Sequence, residues 1–257
     1  MTENEGLLSF GGHLEVLRQM LFRILGVTFV FSCIIFCFKS QTFDILLAPS
    51  DSSFVTYRWT EDIIRHFEKS FAFEPFDIDL IATDLSSQFV THLTTSIYLG
   101  LLCASPLIMY ELFRFITPAL YENERRYSTK IIFSVYLLFI LGVLMSYFII
   151  FPISFRFLGT YSVADKVHST ITLDSYISTF TSLTLLMGVV FQLPVITFIL
   201  SKMGIVNSRQ MLKYRKHAFI LVLLIAAIIT PPDIITLIIV SFPLYILYEI
   251  SIYIIKH

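Results

Sequence analysis

Long stretches without a single Asp, Glu, Lys or Arg dominate this chain: none occurs between Leu85 and Tyr110, between Ile131 and Phe155, or between Ser175 and Ser201. Each exceeds the roughly 20 residues that a helix needs to cross about 30 Å of hydrocarbon. A fourth run, Met20 to Phe38, is broken only by Arg23, whose aliphatic stem lets the guanidinium snorkel to the interface. Two shorter runs close the chain, Ala218 to Thr230 with 13 residues and Ile234 to Tyr248 with 15 before Glu249. At 1.5 Å per residue these reach about 20 to 23 Å, short for a bilayer. With 56% hydrophobic and 14% charged residues and a mean hydropathy of +0.80, the runs cannot all turn inward around one water-soluble core. The expectation is an all-α, polytopic membrane protein, one integral domain over residues 1–257. Its six transmembrane helices lie at about 20–38, 85–110, 131–155, 175–201, 217–230 and 234–255, the last two short.

Positive charge sorts to one side of these spans. The segment from Arg114 to Lys130 carries four Lys and Arg and that from Lys202 to Lys216 five, whereas the turn at Pro231 and Pro232 carries none. Both termini are therefore expected in the cytoplasm and the long loop 39–84 outside, its acidic, amphipathic stretch Glu61 to Phe71 lying on the membrane surface. The acidic segment before the first span has no small-residue cleavage site after it, which predicts a first span that is retained.

The chemistry that most membrane enzymes and pumps require is missing. No nucleotide-binding loop, zinc-protease motif, dinucleotide fingerprint or serine elbow appears in the sequence. With 18 Lys and Arg against 19 Asp and Glu, no basic surface is available for nucleic acid. Cys33, Cys37 and Cys103 have no metal-type spacing and read as small buried hydrophobes, so neither a metal nor a cofactor is expected. A small-solute secondary transporter is the alternative class; its site would have to form at the breaks made by Pro106 and Pro194. At mid-membrane stands Gln192, in F-Q-L-P, an amide that can bond a partner helix or be satisfied within the bundle but cannot carry a proton.

Seven pieces of the sequence, in order, resemble the TatC family, the polytopic core of the twin-arginine protein translocase. They are H-L-E-V-L-R at His13–Arg18, I-A-T-D at Ile81–Asp84, S-P-L-I-M-Y at Ser105–Tyr110 and F-I-T-P-A-L-Y-E-N-E-R-R at Phe115–Arg126. F-I-I-F-P at Phe148–Pro152, F-Q-L-P at Phe191–Pro194 and T-P-P-D at Thr230–Asp233, followed by Pro243 and L-Y-E at Leu247–Glu249, complete the set. The resemblance implies a cupped six-helix bundle in the bacterial cytoplasmic (inner) membrane. It further implies a receptor for signal peptides bearing two consecutive arginines on folded cargo, working in an oligomeric complex with TatA- and TatB-type single-span subunits and driven by the proton-motive force.

On this chain the resemblance carries signal recognition to Glu124, with Glu122, Arg125, Arg126 and Phe115 around it and Glu15, Val16 and Arg18 on the first helix. The family's N-terminal glutamate falls in register at Val16, and the glutamate here stands one position earlier, a turn of about 100° around the helix. Glu15 either faces the peptide or pairs with Arg18 at i+3. Many relatives carry glutamate where this chain has Gln192, an expected partner contact. Tyr147, Asp233 and Glu249 match functional positions, and Pro49, Pro118 and Pro194 match structural or cap-forming ones. Asp233 can also cap the last helix.

Overall fold

The computed structural model describes residues 10–67, 76, 78–116, 128–162, 170–230 and 233–256. The spans are α1 (Phe10–Cys37), α4 (Ser87–Ile116), α5 (Ser128–Met145), which passes through a π-helical segment (Ser146–Ile150) into α6 (Phe151–Thr160), and α7 (Leu173–Val190), which turns at Phe191 and Gln192 into α8 (Leu193–Lys202). After the short α9 (Ser208–Lys213) come α10 (Arg215–Ile229) and α11 (Ile234–Lys256). α10 has 15 residues, about 22 Å, short as expected. α11 has 23, because the helix runs on past Glu249 where the uncharged stretch stops. Between α1 and α4 the chain forms α2 (Lys39–Leu47), a 3₁₀ turn (Ala48–Ser50) and α3 (Val55–Phe67). One departure from an all-helical fold is a two-residue parallel pairing, β1 (Leu80–Ile81) with β2 (Ile171–Thr172).

Helices in lipid associate through close packing, so small residues mark the crossings. α1 lies chiefly along α4, where a Cβ on Gly100 would come within 2.8 Å of the Ser32 backbone nitrogen. α5 crosses α7 at Gly142 and Gly188: a Cβ on Gly142 would sit 2.6 Å from the Met187 carbonyl oxygen. The densest core gathers Ile150, Phe151, Leu183, Met187, Ala226 and Leu244 from the π segment, α6, α7, α10 and α11, each essentially buried. α1, by contrast, turns Phe22, Leu25 and Phe29 outward. The cysteines are not buried as the sequence predicts. Cys33, Cys37 and Cys103 lie on the exposed surface, where a hydrocarbon surround makes a thiol as acceptable as a core does.

The segment expected as an external loop is a helical cap tied to the spans by hydroxyl groups. Pro152 has no N–H to offer the Phe148 carbonyl one turn back, and the Thr56 hydroxyl of α3 takes that carbonyl instead. Three tyrosines donate to the carbonyls at the end of α2 and the turn after it: Tyr147 to Ile45 at 2.7 Å, Tyr176 to Leu46 at 2.8 Å and Tyr57 to Pro49 at 2.8 Å. Tyr57 also reaches the Pro152 carbonyl at 3.0 Å. The last carbonyls of a helix have no intrahelical donors; here aromatic hydroxyls supply them. The amphipathic surface helix expected at 61–71 begins at Val55, and its predicted end lies outside the described residues.

Replacing Gly142 by Ala tests the α5–α7 crossing. Alanine favours a helix by about 1 kcal/mol, yet here the methyl meets backbone. Overpacking of about 1–3 kcal/mol should win, lowering the melting temperature of the detergent-solubilised protein; an unchanged or raised value would show the crossing to be loose.

Candidate functional site

At the end of the bundle where α1 begins, carboxylates and guanidinium groups gather on α1 and α4. Glu15 Oε1 lies 3.1 Å from Arg18 Nη2 and accepts from Gln19 Nε2 at 3.1 Å, contacts one turn along the same helix. The Glu15 and Arg18 side chains are 48% and 67% exposed, so the pair is worth at most about 1 kcal/mol and exchanges readily for another cation. Val16 and Phe115 are also exposed. Glu122, Glu124, Arg125, Arg126 and Pro118 lie outside the described residues.

Deeper along the same two helices is a pair that the sequence reading passed over. Arg23 Nη2 donates to Glu111 Oε2 at 3.0 Å. The expected second span stops at Tyr110, but α4 continues to Ile116 and buries Glu111, while Arg23 remains about half exposed. Arg23 therefore bridges two helices instead of merely snorkelling. A signal was present: these are the innermost ionisable residues of two antiparallel runs, entered from the same end. Glu111 cannot lose its cation without leaving a desolvated carboxylate alone, whereas Arg23 has water to turn to.

The remaining expected residues are distributed over the fold. Gln192 is buried at the α7–α8 turn, where Nε2 donates to the Val135 carbonyl at 3.1 Å and the Gly188 carbonyl at 3.4 Å. Its Oε1 is buried with no hydrogen-bond partner among the described residues. The amide thus clamps α5 to α7 and keeps one acceptor unused. Pro194, at the start of α8, closes that turn. Asp233 Oδ1 accepts from the Thr236 N–H at 2.6 Å, an N-terminal cap on α11. Glu249 Oε2 accepts from Arg215 Nη2 at 2.6 Å, tying α11 to the start of α10. That bond explains why α11 runs through an acidic residue.

Tyr147 and Pro49 belong to the cap contacts described above, and burial pushes the Tyr57 hydroxyl above its ordinary range. Asp51, at the cap surface, is held below the usual carboxylate range by the Ser53 N–H, which donates to it at 2.7 Å. Among the described residues no group of His, Cys, Asp or Glu converges as a metal site. The arrangement can hold cations at one end and pack helices at the other.

A proline-broken helical bundle with five spans of membrane-crossing length, a short sixth and a hydroxyl-pinned cap defines a polytopic transport protein. The profile of the family described as Sec-independent protein translocase protein (TatC) matches residues 12–243. The chain belongs to the TatC family and is a component of a Sec-independent protein translocase, not an enzyme. It is 35% identical to a Sec-independent protein translocase protein TatC of Blattabacterium sp. subsp. Periplaneta americana (strain BPLAN), over 99% of this chain and 97% of that one. The Escherichia coli (strain K12) protein of the same name is 28% identical over 93% of this chain and 84% of its own length. A crystal structure of the twin arginine translocase receptor TatC in DDM superposes with a TM-score of 0.76 at 30% identity, covering 95% of this chain and 100% of that one.

The Arg23–Glu111 pair predicts an asymmetry. Arg23→Leu leaves a buried carboxylate unpaired and should cost up to about 3–5 kcal/mol, whereas Glu111→Gln leaves a half-exposed guanidinium and should cost far less. Thermal unfolding in detergent measures both; equal losses would refute the asymmetry.

Proposed function

We propose that this chain is the receptor and core subunit of a twin-arginine translocase in a bacterial inner membrane, with both termini in the cytoplasm. Its carboxylates at the end where α1 begins receive the paired arginines of signal peptides on folded cargo. The observation that carries this reading is the Arg23–Glu111 bond: this end of the bundle already holds a guanidinium against a carboxylate between two apolar helices. In that setting a charge-assisted bond is stronger than in bulk water. Glu124 supplies the principal carboxylate, Glu122 and Glu15 assist, and Arg125, Arg126 and Phe115 shape the surroundings. Glu15 reaches the peptide by giving up Arg18, a weakly held and exposed partner.

Single-span subunits of the TatA and TatB type assemble against the bundle, and the proton-motive force drives passage. Gln192 contributes through Oε1, the acceptor that the fold leaves without a donor. Tyr147, Asp233 and Glu249 act through the structure, as the cap tie, the α11 cap and the α10–α11 tie.

Crosslinking a twin-arginine signal peptide to the membrane-embedded protein tests the receptor role. Glu124→Ala and a twin-lysine peptide should each reduce labelling by about tenfold or more, the value of a charge-assisted bond; equal labelling in all three cases would overturn it. Gln192→Leu should weaken co-purification of TatA- and TatB-type subunits more than it weakens signal-peptide crosslinking. Unchanged co-purification would remove Gln192 from the partner contact.

A further inference from the structure

Along the seam between α1 and α4 lie two hollows that the receptor reading does not use. One, of about 540 Å³, sits at the cap end and has Lys39, Asp84, Gln88 and His92 in its wall. The other, of about 600 Å³, is lined by Leu25, Phe29, Cys33, Phe36, Leu93 and Ile97. They meet at an aromatic stack: the His92 ring of the first lies 4.2 Å from, and within 9° of parallel to, the Phe36 ring of the second. Gln88, His92 and Ser96, and beside them Phe89, Leu93 and Ile97, each step by four along α4, so both hollows share one face of that helix. On α1 the path from Lys39 to Leu25 is about 21 Å, enough to run from headgroup level to the midplane of a core about 30 Å thick.

The two lengths of this channel differ in chemistry. In the deep part the hydroxyl groups are spent on their own helices, Ser32 donating to the Thr28 carbonyl and Ser96 to the His92 carbonyl, each at 2.8 Å. The wall there is hydrocarbon and aromatic. At the cap end a cation and an anion, Lys39 and Asp84, stand in the same wall beside the Gln88 amide. His92 is buried to 7% exposure, and its Nε2 has no hydrogen-bond partner among the described residues. A buried imidazole nitrogen without a partner is costly, and its place is the junction between the polar and apolar lengths.

We propose that this channel holds one phospholipid with a zwitterionic amine headgroup, its phosphate on Lys39 and Gln88, its ammonium on Asp84, and one acyl chain in the groove between α1 and α4. Opposite charges in one wall match a headgroup that carries both signs. A purely anionic headgroup would put negative charge against Asp84, and a partner helix would bring neither a phosphate nor an ammonium to the cap end. The site is independent of signal recognition, which lies at the other end of α1.

The three cysteines make the test. Cys33 and Cys37 line the groove, whereas Cys103 is exposed on α4 outside both hollows. The delipidated full chain in detergent is labelled with N-ethylmaleimide in the presence of phosphatidylethanolamine, phosphatidylglycerol, chain-free glycerophosphoethanolamine or inorganic phosphate. At lipid about ten times its dissociation constant, phosphatidylethanolamine should slow Cys33 and Cys37 about tenfold and leave Cys103 unchanged. Phosphatidylglycerol should protect less, and the two chain-free compounds not at all. Asp84→Asn and Lys39→Gln should abolish the headgroup preference, and native mass spectrometry should show the bound phosphatidylethanolamine lost in both variants while their melting temperatures hold. Equal slowing at all three cysteines, protection indifferent to headgroup, or protection by free phosphate would overturn the proposal. So would protection conferred only by a single-span partner helix.

Discussion

Hydrocarbon offers no hydrogen bonds, so each place where a spanning helix stops or breaks must find donors and acceptors inside the protein. The cap answers that constraint. α2 ends with carbonyls that no helical N–H can reach, and Pro152 strips the Phe148 carbonyl of its donor one turn away. Hydroxyl groups of Tyr147, Tyr176, Tyr57 and Thr56 fill these vacancies, joining the stretch before the fourth helix to the third and fourth spans. The π-helical segment just before Pro152 belongs to the same adjustment, since a wider turn accommodates the proline ring. What connects cap and bundle is therefore directional, and the aromatic packing of Phe151, Tyr176 and Phe180 is built around it.

How much of this was readable in the chain differs from element to element. Spans show themselves because a bilayer demands a long apolar run whatever the helix packs against, and the runs 85–110, 131–155 and 175–201 reappear as α4, α5 with α6, and α7 with α8. Their ends are less legible. Glu111 and Glu249 look like stops on a hydropathy scale, yet each continues a helix because a guanidinium from a neighbouring helix meets it. Such pairs join residues 88 and 34 positions apart, a separation to which local pattern is blind. The cap helices hide for a related reason, as Lys39–Leu47 and Val55–Phe67 have no uncharged run and are held by contacts to distant carbonyls.

The candidate sites divide in the same way. Motif order identifies the family, and the structure then assigns local work to individual members: Asp233 caps a helix, Gln192 joins two spans, Tyr147 ties down the cap. For Gln192 the two readings are compatible, because its nitrogen is engaged and its oxygen is not. Glu15, by contrast, is engaged only by neighbours on its own helix. An exposed carboxylate with replaceable partners suits recognition better than a rigid one. Glu111 is the opposite case, too deeply buried to let go of Arg23 without a substitute cation.

One consequence of the unequal final pair of helices concerns elasticity. α10 offers about 22 Å of helix beside roughly 34 Å in α11, and the Arg215–Glu249 bond keeps the two in fixed register. Lipid bordering α10 must compress by several ångströms to avoid exposing its tails to water, at a cost of fractions of a kcal/mol per ångström. That flank stores tension in the leaflets around it, and any neighbour that covered α10 would release it.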